Sequence, residues 1–502
     1  MPVAAVPAEE PMENLGTVTT MPDFADDSVM VVLTHEASLE FIDYTPTDFP
    51  EIECAEIEDL SSGKGAKVQV VLRGEELETD SIGARFMNQN IDVDGFRRIL
   101  YLKLTNPSKG NVLRAVAALE QREDVYFAEP NYIYQLDIPT EAQSAVAQNV
   151  PVFGWGAEKI EQEAAWEIET GSNTIYVGVL DSGIDNTHPE LDNKVRRTLS
   201  ADFVGDGFSA TDDPLGHGTH VAGIIAAKYD DDVINFSGVC QYVRLVSLRV
   251  ISSYNTALGS DIADAINYSE INDIPLLNLS LQLTNNSGYG TVYSAVVNYT
   301  GLIIQAAGNS GMNYEDADAA PAYWELENVV VVGASTSSDT RWVGVNDASN
   351  YGNSVVDLFA PGHNIVSCYP SSMCPSTGCS SASHAINGYH FFSGTSIAAP
   401  FVTGVAALIS ASHPDATPAT IKDTIVYSVD PIAALSNMCI SGGRLNAYNA
   451  LTSKILHSDV TYTSIDWTYH QVSCDDCDAT WQEAHLERPG VEYCIYCQEF
   501  LG

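Results

Sequence analysis

From residue 28 the chain alternates short β-branched runs with stretches whose apolar positions recur at helical spacing, and the alternation continues to about residue 453. Near the start, VMVVLTH and ILYLKL read as strands, VLRAVAALEQRED carries apolar residues three and four apart, and VYFAEPNYIYQ returns to extended structure. These pieces predict a small α/β unit over 28–135. Between 151 and 453 the pattern becomes TIYVGVL, HVAGIIAA, VRLVSLRV, DIADAINYSEIN, PLLNLSL, TVYSAVVNY, LIIQAAG and VVVVGAS, followed by a long helical stretch after Ser396. Strands that lack a polar face and are separated by helices predict a parallel sheet covered on both sides. The expected fold class is α/β: a doubly wound, mostly parallel sheet, preceded by a small α/β domain and followed by a small cysteine-rich ribbon.

Outside these blocks the pattern fails. Residues 1–27 are rich in Pro, Glu, Thr and Met without periodicity and read as a disordered leader. LDIPTEAQSAVAQNV, at 136–150, reads as an exposed linker. The tail over 456–502 is too small to own a hydrophobic core, so it needs a metal or disulfides. MPVAAVPAEEPMENL has neither a basic start nor an apolar centre, so it is not an intact signal peptide. The uncharged span from Gly394 to Ser410 contains Pro400 and several hydroxyls and reads as a buried helix, leaving no expected membrane span.

Composition narrows the partners. Of 502 residues, 45% are apolar and 18% charged, enough for a sizeable core; 67 acidic against 22 basic side chains give a formal charge of −45 and a pI near 4.2. Nucleic acid and anionic membrane would be repelled, whereas cationic peptides would not. Six of the ten cysteines, Cys54, Cys240, Cys368, Cys374, Cys379 and Cys439, are scattered, with Cys374 and Cys379 the best placed for a local bridge. Cys474, Cys477, Cys494 and Cys497 form two Cys-x-x-Cys pairs. That spacing suits four thiolates around one zinc ion, with His470 and His485 as lesser candidates; two disulfides are the alternative in an oxidising compartment.

Three motifs carry candidate chemistry. VGVLDSGIDNTHPEL ends a buried strand at Asp181, which puts a carboxylate at the mouth of an α/β sheet, where ligands bind. GHGTHVAGIIAA sets His217 between two glycines at the start of an apolar helix. SGTSIAAPFVTGVAALIS starts another long helix at Ser396, where free backbone amides can hold an oxyanion, and places Pro400 inside the first turn. Each alone has a structural reading: a helix-capping aspartate, a buried histidine, a serine N-cap.

Together, DSGID, HGTHVAG and GTSIAAP in that order resemble the signature motifs of the subtilisin-like serine peptidases, whose triad runs Asp, His, Ser along the chain. The resemblance spans roughly 151–453 and extends to NLSL, AAGNSG, VVVVGAS and FAPGHNIVS. It implies a serine endopeptidase with Asp181, His217 and Ser396 as triad and Asn309 as oxyanion donor, acting on protein or peptide substrates. It also implies two backbone edges for the substrate, at Ser280, Leu281 and Gln282 and at Leu258 to Ser260, including Gly259. Ala306, Ala307 and Gly308 would wall the first specificity pocket. Gln282 departs from the family's usual glycine. The stretch 28–135, ending in AEPNYIYQ, resembles the inhibitory propeptide of the family, which implies an exported zymogen with a first cut between Tyr134 and Val150.

Two further expectations follow from the resemblance. Family members often bind calcium, and Glu190 or the run Asp230, Asp231 and Asp232 would supply oxygen ligands, with a solvated acidic loop as the alternative. Glu315, Asp316 and Asp318 fall where the family builds the base of its first pocket, so Asp318 predicts a preference for Lys or Arg before the scissile bond. A rival reading is a catalytically silent binding protein that keeps its propeptide docked.

Overall fold

The computed structural model of the chain describes residues 23–40, 42–62, 97–135, 154–228, 237–282, 290–315, 326–370, 372–373, 384–386, 388–453, 460–464, 469–474 and 480–484. The first unit contains strands β1 (Phe24–Leu33), β2 (Cys54–Asp59), β3 (Ile99–Leu104) and β4 (Val125–Gln135), antiparallel in the order β2-β3-β1-β4, with a helix over Lys109–Leu119. β1 starts at Phe24, within the stretch expected to be leader. The ring of Phe24 is buried edge-on against Tyr132, a contact hidden from periodicity because Asp26 and Asp27 separate Phe24 from the apolar run.

The run VMVVL has no polar face because both of its faces are covered. Val29, Val31 and Leu33 share a core with Val112, Ala115 and Leu119 of the Lys109–Leu119 helix. Met30 and Val32 share another with Ile262, Ile266 and Val296 of the following domain. Alternate residues of one strand thus belong to two cores, as the two-residue period of a strand requires.

That following domain holds β5 (Gly171–Asp181), β6 (Ala201–Asp202), β7 (Tyr242–Arg249), β8 (Thr256–Leu258), β9 (Leu276–Leu279), β10 (Leu302–Ala306), β11 (Val329–Ser335), β12 (Leu358–Pro361), β13 (Ile365–Cys368), β14 (His384–Ile386), β15 (Tyr389–Phe392), β16 (Asp430–Pro431) and β17 (Gly443–Arg444). Nine strands form the main sheet in the order β16-β17-β12-β11-β10-β9-β5-β7-β6, parallel throughout except for β16 against β17. Val177, Val179, Ile304 and Val332 face a core shared with the helices His217–Ala226 and Thr395–Ser412. Leu180, Ile303 and Val331 face the helices Gly259–Ile271 and Thr291–Asn298. Helices on both faces make the sheet doubly wound. β5 lies between β7 and β9, where the strand order reverses, so Asp181 at its carboxyl end opens into the switch-point crevice.

The Thr395–Ser412 helix is long and apolar enough to cross a membrane, but 83% of its apolar window is buried in the protein's own core. Pro400 is its sixth residue, past the first turn expected for it. Strands β13, β15 and β14 form a small antiparallel sheet, and β18 (Val460–Ser464), β19 (Tyr469–Cys474) and β20 (Thr480–Ala484) form a three-stranded antiparallel meander in the tail. Cys474 ends β19. Cys477, Cys494, Cys497 and His485 lie outside the described residues, as do Cys374 and Cys379 and the linker over 136–150. Cys54, Cys240, Cys368 and Cys439 are free thiols.

Candidate active site

The parallel strands deliver the candidate residues to one end of the sheet. Asp181 closes β5 and is fully buried. Its Oδ1 accepts the Ser182 backbone N–H at 2.7 Å and stands 2.8 Å from His217 Nδ1, while Oδ2 is 3.0 Å from the same nitrogen. A carboxylate only accepts, so Nδ1 carries the proton and Nε2 keeps its lone pair. The helix that begins at His217 can come this close because of Gly218. A Cβ there would stand 2.1 Å from the Gly183 carbonyl oxygen and 3.1 Å from Asp181 Cβ.

Ser396 is the second residue of the Thr395–Ser412 helix. Its Oγ and His217 Nε2 are both buried, and neither has a hydrogen-bond partner among the described residues. Orphaned buried polar atoms are rare and costly in folded proteins. Asn309 Oδ1 accepts the Thr395 N–H at 2.9 Å and the Thr395 Oγ1 hydroxyl at 3.0 Å, which fixes the carboxamide and leaves Nδ2 turned away from Thr395. One point beside Gly394 is 3.2 Å from Ser396 Oγ and 3.3 Å from Asn309 Nδ2. The Ser396 hydroxyl and the Asn309 amide therefore border one small space that only a glycine leaves open.

Several supporting residues are not singled out by the motif reading. Asp213 is buried, four positions before His217 in DPLGHGTH. Its Oδ1 accepts from Ser182 Oγ and the Gly216 N–H at 2.8 Å each, and its Oδ2 from the Thr219 N–H and hydroxyl. Burial pushes its carboxyl up, and the hydrogen bonds from Thr219 and Ser182 hold it down. Ser182 Oγ also accepts the Gly218 N–H at 3.0 Å. Asp213 and Ser182 thus clamp the start of the histidine helix to the strand end that carries Asp181. The short spacing from His217 was the available signal; what hid it was the ordinary look of an aspartate in an acidic chain. His220, one turn after His217, points its Nε2 at the carbonyls of Ile365 and His390, and burial holds its pKa well below the usual value. It is a structural histidine.

Pro400, placed beyond the first turn, is explained by the same region. A proline at the sixth position cannot bond the carbonyl four residues earlier, which is that of Ser396. Ser280 Oγ donates to that carbonyl instead, at 2.9 Å, and Ser280 in turn accepts from Asn278 Nδ2.

Ser280, Leu281 and Gln282 leave the carboxyl end of β9 beside Ala306, Ala307 and Gly308 at the end of β10, the two strands being parallel neighbours. Leu258 ends β8, whose edge is already paired: Ile133, Tyr134 and Gln135 of β4 lie opposite Leu258, Ala257 and Thr256. Gly259 and Ser260, expected as part of that extended edge, are instead the first residues of the Gly259–Ile271 helix; the edge strand stops at Leu258. Glu315 is exposed and accepts from the backbone and hydroxyl of Ser354, while Asp316 and Asp318 lie outside the described residues. Glu190 is buried, with Oε1 accepting from Tyr389 Oη at 2.8 Å. Asp230, Asp231 and Asp232 fall outside the described residues, among which no group of three or more His, Cys, Asp or Glu side chains could hold a metal ion.

Comparison with known proteins agrees with this architecture. The model of the subtilase family of peptidases matches residues 172–454. A thermophilic serine proteinase of Bacillus sp. (strain AK1) is 33% identical over 350 residues, 68% of this chain and 77% of that protein. Thermitase of Thermoactinomyces vulgaris is 32% identical over 307 residues, 60% of this chain and 98% of thermitase. Among solved structures, the MycP3 protease of a type VII secretion system aligns with a TM-score of 0.51 at 24% identity, over 64% of this chain and 94% of its own, which supports the fold.

Proposed function

The chain belongs to the subtilase family and is a subtilisin-like serine peptidase, and from that premise we propose that Asp181, His217 and Ser396 are its catalytic triad in an endopeptidase made as a self-processing zymogen. The observation that carries the reading is that Ser396 Oγ and His217 Nε2 are both buried without a partner among the described residues, while the other nitrogen of the histidine is held by Asp181. Ser396 Oγ attacks the scissile carbonyl as Nε2 takes its proton; the imidazolium then gives that proton to the leaving amine, and water hydrolyses the acyl-enzyme by the same relay. Asp181 fixes the tautomer and stabilises the charged ring. Asn309 Nδ2 and the Ser396 N–H hold the oxyanion.

The unit over 28–135 serves as inhibitory prosegment in this reading. Its support is that β4 is added to the β8 edge, where a substrate backbone would pair, and that Glu129 and Asn131 accept backbone N–H groups at the starts of the Thr291–Asn298 and Gly259–Ile271 helices. The maturation cut falls between Tyr134 and Val150. In the tail, Cys474, Cys477, Cys494 and Cys497 hold one zinc ion; the spacing and the position of CDDC between the paired strands β19 and β20 support this. Calcium at Glu190 or Asp230 rests on family habit alone. The acidic surface suits work outside the cytoplasm, with protein or peptide substrates.

The test is to purify the full chain and its Ser396→Ala variant and follow both by mass spectrometry and by labelling with a fluorophosphonate. The wild type is expected to label at Ser396 and shorten itself within the 134–150 interval, and Ser396→Ala to stay full length, folded and unlabelled, with a rate loss on the order of 10⁶ as in subtilisin itself. A folded wild type that neither labels nor cleaves would instead be a binding scaffold.

A further inference from the structure

We propose that Gln282 fills the mouth of the first specificity pocket and restricts the residue before the scissile bond to small, uncharged side chains. The proposal rests on the peptidase reading above, because the pocket is defined by where Ser396 would attack. The segments 280–282 and 306–308 leave β9 and β10 side by side and reach the proposed point of attack, since Ser280 Oγ bonds the Ser396 carbonyl and Gly308 directly precedes Asn309, so the slot between them is assigned as the pocket for the side chain before the scissile bond.

That slot is not open. Gly308 has φ +100°, and the point where its Cβ would stand lies 2.2 Å from Gln282 Oε1 and 2.3 Å from Gln282 Cδ. The carboxamide of one wall is therefore laid flat on the glycine of the other. The floor cannot drop to make room. Ala307 O accepts from Tyr314 Oη at 2.7 Å and from Asn350 Nδ2 at 2.9 Å, and Asn350 Nδ2 also reaches Tyr314 Oη at 2.9 Å. Asn350 Oδ1 accepts from Ser310 Oγ and the Met312 N–H. Gly308 N–H is fixed to Thr395 Oγ1 at 2.9 Å, so the wall is tied directly to the helix that carries Ser396.

Gln282 itself is half-buried. A methyl or hydroxymethyl group fits above it, and the hydroxyl can pair with the amide. A phenyl ring or a lysyl chain has to displace the whole side chain. A single methylene in such a pocket changes discrimination by about 10- to 200-fold, and a displaced glutamine removes more volume than that.

The experiment measures kcat/KM on a tetrapeptide anilide series carrying Ala, Ser, Leu, Phe or Lys before the scissile bond, with wild type, Gln282→Gly and Gln282→Met. Wild type is expected to favour Ala and Ser at least tenfold over Phe and Lys. Gln282→Gly should shift the Phe-to-Ala ratio upward by at least tenfold, whereas Gln282→Met, which keeps the bulk without the amide, should go on excluding Phe and lose only the advantage of Ser over Ala. Equal wild-type turnover of Ala and Phe, a preference for Lys as the Asp318 expectation requires, or an unchanged ratio in Gln282→Gly would each overturn the proposal. Fluorophosphonate labelling of the same preparations separates the two levels. A labelled enzyme with the wrong preference overturns the role of Gln282 alone, and an unlabelled, inactive one overturns the peptidase reading and this proposal with it.

Discussion

The crevice around Ser396 and the surface on which the N-terminal unit docks both bury polar groups, but they leave different atoms unsatisfied. In the crevice the groups closest to the candidate triad are engaged: Asp213 by Ser182, Gly216 and Thr219, Asn309 Oδ1 by Thr395, and the Ser396 carbonyl by Ser280. Among the described residues the orphans there include Ser396 Oγ and His217 Nε2, the atoms that would react in the proposed mechanism, along with Nδ1 of the structural His220. At the docking surface one orphan is a charge-bearing oxygen. Glu129 Oε1 accepts the Thr291 N–H at 2.6 Å, but its buried Oε2 has no partner among the described residues, and neither has the Thr291 hydroxyl. A satisfied network fixes one arrangement, while a half-satisfied carboxylate makes an arrangement conditional. If the N-terminal unit is the prosegment proposed above, the second region is the one that has to be released.

The sharpest test of the fixed region removes Asn309, the proposed oxyanion donor. Asn309→Ala is expected to lower kcat by about 10²–10³, as removing the equivalent donor does in subtilisin itself, with KM nearly unchanged, because the amide is engaged only when charge develops on the substrate oxygen. Steady-state kinetics on a single anilide reads both parameters. A rise in KM at constant kcat would make Asn309 a ground-state binding residue instead.

The releasable region predicts a pH dependence. Burial, the larger influence, raises Glu129 from 4.5 to about 7, against the lowering effect of the hydrogen bond from the Thr291 N–H. Below about pH 4.5 the carboxyl is protonated whether the unit is docked or free, and docking suffers no penalty. Between there and about pH 7 the free form ionises while the docked form holds its proton, so docking loses stability as pH rises and the loss levels off above. In the uncut Ser396→Ala chain, hydrogen exchange over Thr291–Asn298, corrected for intrinsic rates, should be several-fold faster at pH 8 than at pH 5. Glu129→Gln should flatten that difference. An undiminished difference in Glu129→Gln would assign the dependence to another group.

Much of this was legible in the sequence, for reasons that also mark its limits. The runs TIYVGVL, LIIQAAG and VVVVGAS lie in β5, β10 and β11 because a parallel strand buried on both faces admits no polar alternation. Asp181, His217 and Ser396 stood out because their neighbours are small and their motifs lie at element ends, and Asn309 through the resemblance of AAGNSG to the family. Contacts between distant segments left no local trace. Nothing in the order of residues says that Asp213 would meet Ser182, that Phe24 would cross two aspartates to reach Tyr132, or that β8 would pair with β4 of the N-terminal unit. Gln282 was visible as a departure from a glycine, but its rotamer against Gly308 depends on the neighbouring strand.

The smallest effect is expected at Ser280, and it tests whether the fixed region is fixed by single bonds. Because Pro400 has no N–H, the Ser396 carbonyl would be a buried acceptor without a partner were it not for Ser280 Oγ. Ser280→Ala removes that donor and leaves the acceptor buried, which costs about 1–3 kcal/mol and should lower Tm by a few degrees. The loss of activity should be only a few-fold, since Ser396 Oγ itself is untouched. If the cause is the unpaired carbonyl, then Pro400→Ala in the Ser280→Ala background supplies an N–H from within the helix and recovers most of the lost Tm, although Pro400→Ala alone gains little because the carbonyl is already engaged. Thermal unfolding of the two single variants and the double variant reads the coupling directly. Additive effects of the two substitutions would show that Ser280 stabilises the crevice through Asn278 and the β9 end, and not through the carbonyl that Pro400 leaves free.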